Sequence, residues 1–143
     1  LQFNIENKDI LDLYAGSGSL GIESLSRDAN FVTFIENSDD CITILKQNLK
    51  EFENNYKITK SSVDKFLQTS LSTYDIVFYD PPFKIETDVV KNEVMKIHNI
   101  LNNDGFVVIH RHTASKEFDI LKNYKIHKEK NYGQSNILIL RKL

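Results

Sequence analysis

Ten residues constrain the fold of this chain more than any others: Asp12 to Gly21, DLYAGSGSLG. They carry Gly16, Gly18 and Gly21 in the order G-x-G-x-x-G. Just before them, "DILDLY" (Asp9 to Tyr14) sets Ile10, Leu11 and Leu13 in a short apolar run that reads as a strand. Just after them, "SLGIESLSR" (Ser19 to Arg27) reads as a helix with Leu20, Ile22, Leu25 and Ser26 on its inner side. A strand that passes through glycines straight into a helix opens a βαβ unit. The next strand must then follow that helix, because parallel strands need a crossover connection.

The rest of the chain meets that demand. "NFVTFIE" (Asn30 to Glu36) is rich in β-branched and aromatic residues and reads as a second strand. Ser38 caps a helix in which Cys41, Ile42, Leu45 and Leu49 recur at spacings of three and four. "YKITK" (Tyr56 to Lys60) is a third strand, and Ser61 or Ser62 caps a short helix carrying Val63, Phe66 and Leu67. "YDIVFYD" (Tyr74 to Asp80) is a fourth strand, stopped by Pro81 and Pro82. A residue before proline avoids the helical region, so Asp80 is held extended at the strand end. A long helix is expected over Glu86 to Leu101 with Val90, Val94, Ile97 and Leu101 inward, and "NNDG" is expected to turn the chain. "FVVIH" (Phe106 to His110) is a fifth strand, and residues 115–122 are expected to form a last helix. "YKIHKEK" and "NILIL" flank "NYGQS", a hairpin with Gly133 in its turn. The alternation predicts one α/β domain: a mainly parallel sheet with helices on both faces, closed by an antiparallel pair.

A chain of 143 residues is long enough to fold without a disulfide or metal. Its lone cysteine, Cys41, cannot form an internal disulfide, which points to a reducing, cytoplasmic setting. No stretch approaches the roughly 20 apolar residues of a membrane span. The opening "LQFNIENKDILDLY" lacks a signal-peptide pattern and an initiator methionine, so upstream residues are expected to be missing. A formal charge of −2 argues mildly against a polyanionic partner. From Arg111 onward, however, eight Lys or Arg face three acids, enough for a locally basic rim.

Ligands of open α/β sheets sit beyond the carboxyl ends of the strands, where strand order reverses. Gly16 and Gly18 fall there, and the helix from Ser19 points its free N–H groups at whatever binds. Glu36 ends the second strand, twenty residues after Gly16, where a carboxylate can accept ribose hydroxyls. These features suit any adenosine-containing ligand, a nicotinamide dinucleotide and S-adenosylmethionine alike. Asp12 shifts the balance, because a carboxylate inside an apolar strand needs a partner. A cationic ligand gives it one; backbone N–H groups of the glycine loop are another, and both roles are compatible.

"DPPF" (Asp80 to Phe83) ends the fourth strand, which should neighbour the first. An exocyclic base amine is a poor nucleophile because its lone pair is delocalised. Acceptors on its hydrogens favour attack on a methyl group. The Asp80 carboxylate and the Pro81 carbonyl are such acceptors, stiffened by Pro81 and Pro82. Phe83 offers a face on which a flipped base can stack.

The stretches "ILDLYAGSGSLGIESLSRDA", "FIE" (Phe34 to Glu36), "DIVFYDPPF" and "NYGQSNILIL" resemble the RsmD family. Its members are bacterial enzymes that methylate the N2 amine of one guanine in 16S ribosomal RNA. The resemblance implies a Rossmann-like, class I methyltransferase sheet of seven strands with the last one antiparallel. It implies S-adenosylmethionine as cofactor and S-adenosylhomocysteine as product. It places Asp12, Gly16, Gly18 and Glu36 at the cofactor, with Tyr14, Ala15, Ser17, Asn37, Ser62, Val63 and Asp80 completing that site. Asp80, Pro81, Pro82 and Phe83 match the motif that receives the guanine amine, and Tyr132–Gly133 match a Tyr-Gly before the last strand. The expected partner is 16S rRNA or the small ribosomal subunit, touched through Arg111, His112, Lys116 and Tyr132, with the protein a monomer away from membranes.

Three features depart from the family pattern. Only eleven residues precede Asp12, so the family's N-terminal RNA-contacting segment is expected to be absent from this 1–143 domain. No acid precedes the helix at residue 63, leaving a Ser61 or Ser62 hydroxyl or the Val63 N–H for the adenine amine. The fifth strand ends in "HRH" (His110 to His112) where relatives often carry a carboxylate. That triplet reads equally as an RNA contact or as a polar strand end, and it lacks a third ligand for a metal. Other readings stay open: a methyltransferase acting on DNA adenine or another RNA base, a nucleotide-dependent oxidoreductase, or a catalytically reduced RNA-binding homologue.

Overall fold

The computed structural model describes residues 4–111 and 122–143. Strand β1 (Asp9–Leu13) is buried along nearly its whole length, on both faces. A strand with that pattern belongs in the middle of a sheet between two helical layers. It lies there, flanked by β2 (Phe31–Glu36) and β4 (Tyr74–Tyr79), both parallel to it. Outward from β2 comes β3 (Tyr56–Lys60), and outward from β4 comes β5 (Leu101–Arg111), again parallel. The last two strands, β6 (Tyr124–Tyr132) and β7 (Ser135–Lys142), form the expected hairpin around Gly133, which takes φ +59°. Strand β7 inserts antiparallel between β5 and β6, so the order is β3-β2-β1-β4-β5-β7-β6. This is the seven-stranded sheet with an antiparallel last strand that the resemblance implied.

Period-two alternation divides the core into two layers. Leu11, Leu13, Val77 and Tyr79 pack with α3 (Val63–Thr69) and α4 (Thr87–His98) on one face. Ile10, Phe34, Ile76 and Phe78 face α1 (Ser19–Ser26) and α2 (Asp39–Asn48) on the other. Among the described residues no helix is long and apolar enough to cross a membrane.

Three sequence expectations need correction. In α1 the buried serine is Ser24, whose hydroxyl donates to the Leu20 carbonyl, and Ser26 is exposed. Helix α4 ends at His98, so Leu101 is buried as the first residue of β5 rather than as a helical residue. The segment "NNDG" does not turn the chain out of the sheet. It lies within β5 at a register irregularity opposite Tyr74 to Ile76, with Asp104 at φ +63°. The Asn102 amide donates to Asp75 there, and a Cβ on Gly105 would meet the Asp75 carbonyl oxygen at 3.0 Å. Turn-like composition serves here to fit a bulge against a close neighbour. The helix expected over residues 115–122 falls outside the described residues except for Lys122.

Candidate active site

Strand register alone gathers the site. Leu13 pairs with Ile35 on one side and Tyr79 on the other, and Tyr79 pairs with Ile109. The next residues along the four strands are therefore Tyr14, Glu36, Asp80 and His110, at neighbouring strand ends. Strand order reverses at β1, so this row borders the crevice where α/β sheets bind ligands.

The glycine turn is fastened at several points. Tyr14, Gly16 and Gly18 all take positive φ. The Ala15 N–H donates to the Ile35 carbonyl at 3.0 Å, and the Asn48 amide of α2 donates to the Ser17 carbonyl at 3.0 Å. Gly18 precedes α1 as its cap, and Ser17 is exposed. Glu36 accepts the Gly16 N–H on Oε1 at 2.8 Å and the Asn37 and Ser38 N–H groups on Oε2 at 3.0 and 2.9 Å. Its carboxylate thus ties the glycine turn to the start of α2. An ionised carboxylate accepts at about four lone-pair positions, so Oε1 retains room for a further donor.

Asp12 is 3% exposed and accepts the Gly21 N–H on Oδ2 at 3.1 Å. Gly21 permits this because a Cβ there would lie 3.0 Å from that oxygen and 2.3 Å from the Phe34 ring. Of the two kinds of partner that the sequence left open, the geometry shows a backbone N–H, that of Gly21 in the first turn of α1. Burial pushes the Asp12 carboxyl up to about 8; the Gly21 bond opposes this, and the Asp80 and Glu36 charges reinforce it. The folded chain therefore keeps a proton that an unfolded aspartate releases near pH ~3.9. The linked stability is full below that pH and is lost as pH rises through about 8. An Asp12→Asn variant should lose this slope. Between about pH 5 and pH 8 the wild-type melting temperature should fall relative to the variant's. A constant difference across that range would contradict the assignment.

Glu93, absent from the sequence reading, is buried on α4 and accepts hydroxyl bonds from Tyr14 at 2.8 Å and Tyr79 at 2.6 Å. Burial, then the bond to Glu93, raises both phenols above the ordinary tyrosine range. This carboxylate braces Tyr14, held at φ +56°, against the end of β4. A signal for it existed: position 93 is three residues after Val90 and four before Ile97, on the inward stripe.

Two cavities meet at Tyr14 and Glu36. One, of about 300 Å³, lies among Ile35, Asn37, Ser62, Val63 and Glu93. Ser62 caps α3 by accepting the Lys65 N–H at 3.2 Å, and Val63 is buried. The other, of about 420 Å³, is lined by Asp80, Pro81, Pro82, Phe83 and His110. Pro81 is buried, while the Pro82 carbonyl accepts the Ile85 N–H at 3.0 Å and closes the corner. Phe83 stays 51% exposed. Tyr14, which leads into the glycine turn, and Glu36, which holds the Gly16 N–H, therefore join the cavity beside Val63 to the Asp-Pro-Pro-Phe corner; Gly16, Ser17 and Gly18 line neither cavity.

The expected RNA contacts fare differently. Arg111 does not reach the surface: it is 5% exposed, and its guanidinium donates to the Ile85 carbonyl at 3.4 and 3.5 Å. Alternation along β5 turns it away from His110 and under the loop that follows Pro82. Tyr132 is exposed at the hairpin tip. His112 and Lys116 lie outside the described residues.

Known proteins share this sheet and resemble the chain along most of its length. The family described as "Conserved hypothetical protein 95" matches residues 1–141. The chain is 33% identical over 134 residues to "Ribosomal RNA small subunit methyltransferase D" of Buchnera aphidicola, covering 91% of this chain and 69% of that protein. A solved structure, "Putative methyltransferase yhhF from Escherichia coli", is 27% identical, covers 96% of this chain and 77% of its own, and superposes with a TM-score of 0.85. A fold relative, SMU.776, "a putative methyltransferase complexed with SAH", shares 11% identity over 96% of this chain and 46% of its own, at a TM-score of 0.83. The match runs along nearly the whole chain: this protein belongs to the Conserved hypothetical protein 95, or RsmD, family of methyltransferases.

Proposed function

We propose that this chain transfers a methyl group from S-adenosylmethionine to the exocyclic N2 amine of a guanine in 16S ribosomal RNA. The single observation that carries the reading is the row of strand ends that brings Tyr14, Glu36 and Asp80–Phe83 onto adjoining cavities. The residues present fit the cofactor. A cavity walled by Ile35 and Val63 suits an adenine, and Oε1 of Glu36 at its mouth suits a ribose hydroxyl. The name of the Buchnera relative and the SAH complexed with SMU.776 support the same class.

When bound, S-adenosylmethionine supplies an electrophilic methyl group on a sulfonium. The chain's own part is binding and orientation. Phe83 stacks the flipped base, and Asp80 accepts from its amine and directs the nitrogen lone pair toward the methyl. Asp80 need not be a strong base, because the amine proton becomes acidic only as the nitrogen–carbon bond forms. Asp12, Glu36 and Glu93 keep the loop and the β4 end fixed while this happens.

The test is incubation with 16S rRNA and small subunits from a strain lacking the modification, followed by mass mapping of methylated nucleosides. The reading predicts N2-methylguanosine at one position. Methyl groups only on adenine, or only on DNA, would replace this substrate with another base amine.

A further inference from the structure

We propose that His110 is a positioning residue that holds both halves of the base-receiving corner at once. The inference rests on the functional reading above. His110 Nδ1 lies 3.0 Å from Asp80 Oδ1, so the neutral ring donates its Nδ1–H to that oxygen. The same ring meets Phe83 edge to face, with centroids 5.7 Å apart and planes at 73°. One imidazole therefore touches both the acceptor of the amine and the platform of the base.

The backbone is well placed for this. His110 sits on β5 between two neighbours, next in register to the end of β4 and paired with Ile137 of β7. Asp80, by contrast, lies beyond β4, with only the rigid Pro81 behind it. The side chains are 34% and 45% exposed, so the pair adds little to stability. Its value is orientation. With Oδ1 engaged by the ring, Oδ2 is the less engaged oxygen for the amine.

In the transfer, the amine lone pair forms the new nitrogen–carbon bond. The sulfur–methyl bond breaks, and its electron pair stays on sulfur as a neutral thioether. The nitrogen then releases one N–H proton to Asp80, from which it passes to solvent. Protonation of His110 converts its contact with Asp80 into an ion pair and weakens the carboxylate as acceptor. Lys128 and Lys130 of β6 line the cavity on the far side of the ring and oppose that cation, whereas Asp80 favours it. Tyr132 borders the same cavity, β7 contributes only apolar Ile137 and Ile139, and Arg111 turns to the Ile85 carbonyl. Methyl transfer should consequently show an acid-side decline once the ring is protonated.

The test compares wild type, His110→Phe and His110→Asn for methyl transfer to 16S rRNA from an unmodified strain, between about pH 5.5 and 8.5. Calorimetry with S-adenosylhomocysteine serves as a folding and binding control. In His110→Phe, kcat should fall about 10- to 100-fold while affinity for S-adenosylhomocysteine holds within about twofold. Asparagine can present an amide N–H where the imidazole Nδ1–H stood, so His110→Asn should recover most of kcat and lose the acid decline. Wild-type kcat in His110→Phe, or an acid decline retained in His110→Asn, would overturn the proposal. Nitrogen NMR reads the contact without any substrate. The wild-type ring should be the Nδ1–H tautomer and should lose that preference in Asp80→Ala. The same tautomer in both proteins would overturn the contact itself. A wild type silent on all ribosomal RNA with the tautomer shift intact would instead sink the functional reading.

Discussion

Asp80→Ala should cut methyl transfer on the order of a thousandfold while leaving the affinity for S-adenosylhomocysteine within about twofold. Removal of one preorganised group that stabilises transition-state charge costs about a hundred- to a thousandfold in comparable sites. Asp80 lies beyond the last paired residue of β4 and its side chain is 45% exposed, so its loss should spare the fold. A second consequence separates this from simple misfolding. The Asp80 charge helps raise the buried Asp12 carboxyl, so its removal should ease that shift and leave the protein no less stable at neutral pH. The measurements are single-turnover transfer from radiolabelled cofactor and a calorimetric titration with the product. Wild-type turnover in the variant would remove Asp80 from the clamp.

Glu36→Ala should produce the opposite division of effects. Its carboxylate accepts the Gly16, Asn37 and Ser38 N–H groups, which spring from both sides of the cleft. Truncation strands three donors and frees the glycine turn from the start of α2. Hydrogen bonds to a charged group contribute about 1.5–3 kcal/mol each, and water will satisfy part of the loss at this half-buried position. Affinity for S-adenosylhomocysteine should therefore fall about 10- to 100-fold, with a lower melting temperature. At saturating cofactor the variant should still transfer methyl, because Asp80, Phe83 and His110 keep their contacts. Unchanged affinity would put the ribose elsewhere.

The sequence made the α/β architecture readable for a physical reason: its signals are local. Glycines after "DILDL", two prolines after "DIVFYD" and runs of β-branched residues are each legible within a few positions. The adjacency of β1 and β4 followed from topology rules and a matching pair of motifs. What stayed hidden depends on contacts between distant segments. Glu93 is polar, and residue type masked an inward helical position that only Tyr14 and Tyr79 make tolerable. Arg111 carries a charge and ends a strand, yet strand alternation and the loop after Pro82 bury it. The His110–Asp80 contact spans thirty residues and needs the β4–β5 register to be known. "NNDG" has the composition of a turn, and only its pairing with β4 makes it a bulge.

The most direct measurement of the central claim is a crystal structure of the protein with S-adenosylhomocysteine. Adenine is expected between Ile35 and Val63, a ribose hydroxyl on Glu36, and sulfur facing the Asp80–Phe83 corner across the glycine turn. Product bound anywhere else, such as the groove between Asn92 and Tyr124, with Glu36 and Asp80 untouched, would contradict the shared cleft.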